Sequence, residues 1–461
     1  MSHLSWILFI GVLLVATSMA SGLIRRGPIT SFAVYLAAGI VVGPGILGLG
    51  ALAFDQANAG WLRPLTETGL VVSLFITGLK LRVPFGHRGW RTAASLAVPA
   101  MVLTIAGVAV LVHALAGWSW PMSLALAAIL SPTDPVLASL VSVDDARDDD
   151  ALRVALSGEA GLNDGTALPF LLLALTLLTA SDTGTHLWVH WVTVDLLWEW
   201  VGGLAVGFAL GWLIGLAGTR LRHATQDVAP SDFLALGIMA LAYGCAELMD
   251  ASGFLAAFAA GVGLRRIEVR TVEEHPIQDD EEADSQAARA PAETLVRPNE
   301  RSTAGSEHPF QTVGWVVSDA LSFGDTMERL IGAALVFVVG VAVLPVFTWM
   351  GALIAAVLFF VIRPVSVWLV TIGGGLPWQR RLLLGWFGIR GLGSLNYLAY
   401  ALTHRLVGHE GDDLGKIVLT VVALSIVIHG ITTTPLMNWR GHALERAQHE
   451  REARDETGFR K

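Results

Sequence analysis

Two stretches concentrate the residue types able to do chemistry in an otherwise apolar chain: Ser131-Pro132-Thr133-Asp134-Pro135-Val136 and Ser157-Gly158-Glu159-Ala160-Gly161-Leu162-Asn163-Asp164-Gly165-Thr166. They hold the carboxylates Asp134, Glu159 and Asp164, the amide of Asn163, hydroxyls and helix-breaking Pro and Gly, all inside runs long enough to cross a bilayer. A carboxylate in lipid costs at least ~2.5 kcal/mol on insertion scales, so such groups face a bundle interior or a water-filled path. Hard oxygen ligands suit a cation or a proton. One site that cannot hold both at once is the minimum that ion exchange requires.

Pro132 and Pro135 bracket Thr133-Asp134, and proline removes ladder hydrogen bonds, so a helix is expected to break there. An unwound segment near mid-membrane frees carbonyls and half-helix ends, which secondary transporters use to hold ions. The plainer reading is a proline kink with Asp134 bonded to backbone. In the next apolar run Glu159, Asn163 and Thr166 fall at helical neighbour spacings, with Asp164 one step round towards Asp134. Asn163 can donate to a neighbouring carboxylate or helix end. Two arginines also lie in apolar runs, Arg363 before Pro364 and Arg390 among Gly388, Gly391 and Gly393. Each needs an acid or freed carbonyls. Glu159 with Arg363 is the expected structural pair, and Arg390 is expected to compensate the C-terminal dipoles of a broken helix.

The elements that must position these groups are membrane spans. The chain is 54% hydrophobic and 15% charged, with 49 glycines, whereas soluble domains carry roughly 25% charged residues. Apolar runs are expected at 4–23, 29–49, 62–80, 92–116, 121–141, 151–179, 192–219, 231–249, 252–267, 327–346, 349–373, 381–403 and 416–436, about thirteen spans by the ~20-residue criterion. Positive residues cluster in alternate loops: Arg25-Arg26; Lys80, Arg82, Arg88 and Arg91; Arg147; Arg220 and Arg222; Arg265-Arg266; Arg380-Arg381; and the tail with Arg440, Arg446, Arg451 and Arg454. The remaining loops are nearly free of them, with Arg63, Arg405 and Lys416 as nearby exceptions. Positive charge stays on the cytoplasmic side, which places the N-terminus outside and the C-terminus in the cytoplasm.

The division expected is a membrane domain over 1–267, a hydrophilic cytoplasmic loop over 268–326, the rest of the membrane domain over 327–440 and a tail over 441–461. Low hydrophobicity and high charge, as in Asp279-Asp280-Glu281-Glu282, favour disorder for the loop. Phe310–Phe323 within it is expected as a short amphipathic helix on the membrane surface. The single Cys245 excludes an intrachain disulfide and a thiolate metal cluster. A net charge of −9 with dispersed basic residues argues against nucleic acid. The first span lacks the basic flank and cleavage site of a signal peptide. Glu247, Asp250, His404 and His429 are read as bonded within the bundle or near span ends, Glu67 as solvated, and Trp61, Trp118, Trp120, Trp188, Trp191, Trp198 and Trp200 as interfacial anchors.

Thr133-Asp134-Pro135, the Asn163-Asp164 dyad after Glu159 and Gly388-x-Arg390-Gly391 together resemble the NhaP-type sodium/proton antiporters of the monovalent cation/proton antiporter superfamily. The likeness covers essentially the whole membrane part. It implies an all-α polytopic fold of inverted repeats with two crossing broken helices, the fifth and twelfth spans, and a homodimer in which a core domain moves against a dimerisation domain. It also implies a bacterial cell membrane as the location. Asp164 would be the proton/cation carboxylate, Thr133 and Asp134 the unwound crossing segment, and Glu159 with Arg363 a stabilising ion pair; the Asn-Asp dyad goes with electroneutral exchange. Two positions depart from the pattern: Thr77 stands where many relatives have a glutamate, and Ala160 where they often have a serine.

The function expected is exchange of Na+, K+ or Li+ for H+ by alternating access at Asp164, with no organic cofactor and no enzymatic activity. A cation channel or ion-gated sensor on the same scaffold, and an intramembrane enzyme using Asp134 and Asp164, are the alternatives. Neither acid has a substrate-binding motif beside it, and the long hydrophilic insert lacks a nucleotide-binding signature, which weighs against the enzyme.

Overall fold

The computed structural model describes residues 11–19, 22, 30–50, 52, 54, 58–138, 141–143, 145–179, 184–225, 229, 231–275, 290–296, 309–404 and 409–458. Among them the regular structure is entirely helical. In chain order the helices are α1 (Ser31–Val42), α2 (Ala59–Lys80), α3 (Arg88–Ala116), α4 (Trp120–Leu130), α5 (Ala151–Thr179), α6 (Thr185–Thr225), α7 (Asp232–Glu247), α8 (Gly253–Glu274), α9 (Pro309–Val346), α10 (Trp349–Val370), α11 (Trp378–Trp386), α12 (Leu392–Thr403) and α13 (Gly411–Arg446). Six of these, α3, α5, α6, α9, α10 and α13, are long and apolar enough to cross a membrane. Half of the first expected span, Arg25-Arg26, Arg405 and the acidic stretch around 279–282 lie outside the described residues.

Helices that share one apolar solvent gain little from burying apolar area against each other, so close packing of small residues carries the association. α6 presents Gly203, Gly207 and Gly211 to α8; a Cβ at Gly207 or Gly211 would collide with the backbone carbonyl of Ala256 or Ala260. α8 in turn lays Gly261 on Phe75 of α2. α1 and α9 meet through Gly39 and Gly340 in the same way. On its other side α2 meets α9 through Gly69 against Ile331 and Ile76 against Gly324, so that it lies between α8 and α9 with Ser73, Thr77 and Gly69 buried.

Three helices carry a wide, π-helical turn: α6 over Trp191–Trp198, and, each with a proline in or just after the turn, α3 over Leu96–Ala100, which contains Pro99, and α10 over Leu358–Ile362, just before Arg363-Pro364. Proline cannot donate its ladder hydrogen bond, and a widened turn absorbs the mismatch. In α10 that turn immediately precedes the buried Arg363.

The residues expected as a separate surface helix at 310–323 form the first part of the continuous 38-residue α9. α8 likewise runs to Glu274, past the expected span end at 267. Between them, 290–296 is packed: Ala292 is fully buried, its N–H donates to Glu268 (2.9 Å), and Glu293 accepts from Arg265 (2.8 Å). Trp61, Trp120, Trp188 and Trp198 are exposed as anchors should be, whereas Trp118 is buried.

Candidate functional site

α4 ends at Leu130, and Pro132, Thr133 and Asp134 follow in non-helical backbone. α11 ends at Trp386, and the chain is non-helical from Phe387, where the Gly388 N–H turns back to Trp386 O (2.7 Å), through Arg390 before α12 begins at Leu392. The two breaks lie side by side: the Asp134 N–H donates to Ile389 O (2.9 Å). Proline forces the first break, and glycine permits the second.

Charges compensate the half-helix ends. Arg390 donates from Nε to Leu130 O, the last carbonyl of α4 (2.7 Å), and from Nη1 to Gly388 O. Its own N–H donates to Ser425 Oγ on α13 (2.8 Å). Asp134 accepts at Oδ1 from the N–H groups of Val136 (2.8 Å) and Leu137 (3.3 Å), and at Oδ2 from the N–H of Leu392 at the head of α12. A cation at a C-terminus and an anion at an N-terminus are the favourable arrangement. Asp134 is therefore bonded to backbone, as the plainer reading of the sequence had it, and in two chain segments at once.

Asn163 and Asp164 reach this crossing from α5. Asn163 Nδ2 donates to Thr133 Oγ1 (2.6 Å) and Thr133 O (3.2 Å). The Asp164 backbone carbonyl accepts from Tyr397 Oη (2.6 Å). Its carboxylate is 1% exposed, and neither oxygen has a hydrogen-bond partner among the described residues; Asn163 Oδ1 and Ser394 Oγ are likewise buried and unpartnered. Buried polar atoms normally have partners, so these unpartnered oxygens make the place a candidate binding site. Close approach is built in: a Cβ at Gly391 would overlap the Asp134 carboxylate, and one at Gly393 would sit 2.8 Å from Asp164 Oδ1.

Glu159, one turn from Asn163 on α5, meets Arg363: Nη2 lies 2.7 Å from the carboxylate, with the two side chains 1% and 3% exposed. Arg363 also donates to Leu384 O (3.3 Å). Gly388 separates Arg363 from Arg390, since a Cβ there would lie 3.0 Å from Arg363 Nε and 2.7 Å from Arg390 Nη1. Thr133, Asp134, Asn163, Asp164 and Arg390 thus form one centre, with Glu159–Arg363 supporting it. Thr77 and Ala160 are both buried.

Residues that reasoning from sequence passed over complete the centre: Tyr397, Ser425 and Ser394. Only Ser394 adjoins a stretch already singled out, the one that ends at Gly393. The other polar residues sit in ordinary structural contacts. His429 bonds Ser425 O and Trp386 O, and Glu247 accepts from the Gly253 N–H. Glu67 is not simply solvated: Tyr243 Oη donates to it, and Arg63 lies 3.6 Å away.

Comparison with known proteins points in one direction. Residues 10–279 and 320–439 match the family described as sodium/hydrogen exchanger, transmembrane. The chain is 31% identical over 230 residues to the Na(+)/H(+) antiporter 2 of Zygosaccharomyces rouxii, a match covering 48% of this chain and 28% of that protein. It is 25% identical to the K(+)/H(+) antiporter NhaP of Alkalimonas amylolytica, covering 94% of this chain and 66% of that protein. The chain thus spans only about a quarter to a third of the length of the first curated relatives it matches. In fold it is similar to the sodium proton antiporter MjNhaP1 of Methanocaldococcus jannaschii, with a TM-score of 0.65 at 17% identity over 95% of this chain and 98% of that one.

Proposed function

The chain belongs to the sodium/hydrogen exchanger family, and from that premise we propose that it exchanges a monovalent cation, Na+ with K+ or Li+ as further candidates, for H+ at Asp164. The observation that carries this reading is the Asp164 carboxylate: buried, with both oxygens unpartnered, beside the crossing of two broken helices. An uncompensated charge there is costly, so the carboxyl carries either a proton or a cation, and each excludes the other. The remaining ligands would be oxygens already in place, Asn163 Oδ1 and the freed backbone and hydroxyl of Thr133, with Asp134 holding the crossing in shape.

Charge bookkeeping favours an electroneutral cycle. Asp134 is bonded to backbone N–H groups beside Arg390, Glu159 is matched by Arg363, and Asn163 is neutral. That leaves one carboxylate to titrate. The same centre is neutral with Na+ or with H+, so either form crosses without moving net charge. The protein would act as a homodimer in a bacterial cell membrane, with the N-terminus outside and the C-terminus cytoplasmic, and perform no covalent chemistry.

The test is dissipation of a pH gradient in proteoliposomes on adding Na+, K+ or Li+ with the voltage clamped. Cation-dependent dissipation at the same rate whether the voltage is clamped at zero or at an inside-negative value supports electroneutral exchange and names the ion. Cation flux without proton counter-movement would contradict it and favour a channel.

A further inference from the structure

Glu328 is an acid inside the long apolar helix α9 that the crossing does not use. It is partly buried, and the hydrogen bond it accepts comes from a neutral group, Ser73 Oγ on α2 (3.1 Å). Glu159, the comparable acid on α5, is matched directly by an arginine. The base nearest in the chain of contacts, Lys80, has its ammonium 2.9 Å from Asp325, one turn before Glu328. Arg329 points the other way, 78% exposed and 3.9 Å from Asp325. Exposed charge of that kind is strongly screened.

The position of Glu328 follows from the antiparallel ladder between α2 and α9. At one level Gly69 of α2 faces Ile331 of α9, with Leu392 beside them; Gly332 next to it faces Val136. These are the residues immediately after Asp134-Pro135 and at the head of α12, so this level is the crossing itself. One turn along, Ser73 bonds Glu328; one further, Ile76 faces Gly324 and Lys80 pairs with Asp325. Glu328 also interacts electrostatically with Asp134, Asp325 and Lys80. It stands between the Lys80–Asp325 pair at the end of α2 and the crossing, with Ser73 and Thr77 presenting hydroxyls at helical spacing on one side of α2.

Resting on the exchange reading above, which makes the Lys80 end cytoplasmic, we infer that Glu328 is the entry carboxylate for the cytoplasmic cation: it holds a partly dehydrated monovalent cation with the Ser73 hydroxyl one turn short of the crossing. With Glu328 ionised, Glu328, Asp325 and Lys80 together carry one net negative charge, which concentrates cations at this mouth. Its contribution is therefore one-sided. It sets cation capture from the cytoplasm and leaves capture from outside to other groups.

The experiment measures cation half-saturation from each face in proteoliposomes of defined orientation for wild type, Glu328→Gln and Glu328→Asp. Glu328→Gln is expected to raise half-saturation on the cytoplasmic face ~5-fold, as loss of a focusing charge does, while leaving the outer face and the maximal rate within about twofold. Glu328→Asp is expected to recover most of the cytoplasmic value. An unchanged cytoplasmic half-saturation in Glu328→Gln, an equal shift on both faces, or a fall in maximal rate alone would overturn the assignment. Absence of exchange in the wild type would instead remove the functional reading on which it rests.

Discussion

Asp134 and Arg390 terminate helices across the two breaks: Arg390 donates to Leu130 O at the tail of α4, and Asp134 accepts from the Leu392 N–H at the head of α12. Each side chain comes from one break and bonds a half-helix belonging to the other. The crossing is therefore a reciprocal unit, and neither break is stable in this form without its partner.

Removing either end should cost stability as well as transport. Hydrogen bonds to charged groups contribute ~1.5–3 kcal/mol, so Arg390→Ala and Asp134→Ala should each lower the thermal midpoint in detergent by several degrees. The double variant should be less unstable than the two single losses combined. Strict additivity would show that the two ends are independent.

Glu159 and Arg363 form a buried ion pair 2.7 Å apart. Breaking such a pair leaves an uncompensated charge at a cost of ~3–5 kcal/mol, whereas removing both partners is close to neutral. Arg363→Met should destabilise strongly, and Glu159→Leu combined with Arg363→Met should recover most of the loss. Equal melting of the single and double variants would argue against the pair.

The Asp164 carboxylate leaves no room beside Gly393, where a Cβ would lie 2.8 Å from Oδ1. Gly393→Ala should therefore weaken cation capture more than it weakens folding, seen as a raised half-saturation at a near-unchanged melting temperature. A variant with wild-type half-saturation would place the cation away from α12.

Competition at one carboxyl fixes the sign of the pH dependence. As pH falls into the range where Asp164 is protonated, the apparent cation half-saturation should rise about tenfold per pH unit, one proton displacing one cation. At high pH the rate should fall because the proton-loaded return becomes scarce. Half-saturation independent of pH across the active range would mean separate sites.

Much of this centre was legible in the residues. Pro132 and Pro135 on one side and Gly388, Gly391 and Gly393 on the other announced the two breaks, and the need to neutralise Arg363 pointed to Glu159. Tyr397, Ser425 and Glu328 were not legible in that way. Each is a polar residue in an apolar helix whose partner lies far along the chain, and periodicity assigns a face without naming what packs against it. The continuity of α9 was also hidden, because polar residues at 318–329 interrupt the hydropathy while Gly324 is buried against Ile76 of α2. The 290–296 segment reads as charged linker, yet Arg265 and Glu268 supply buried partners for it.

One measurement bears most directly on the shared site: proton release on cation binding to the purified protein, taken by calorimetry in buffers of different ionisation enthalpy. About one proton released per cation bound, near the pH where binding weakens, with both binding and release lost in Asp164→Asn, is the expected result, since a single carboxyl exchanges one for the other. Cation binding without proton release, or release that survives in Asp164→Asn, would contradict exchange at Asp164.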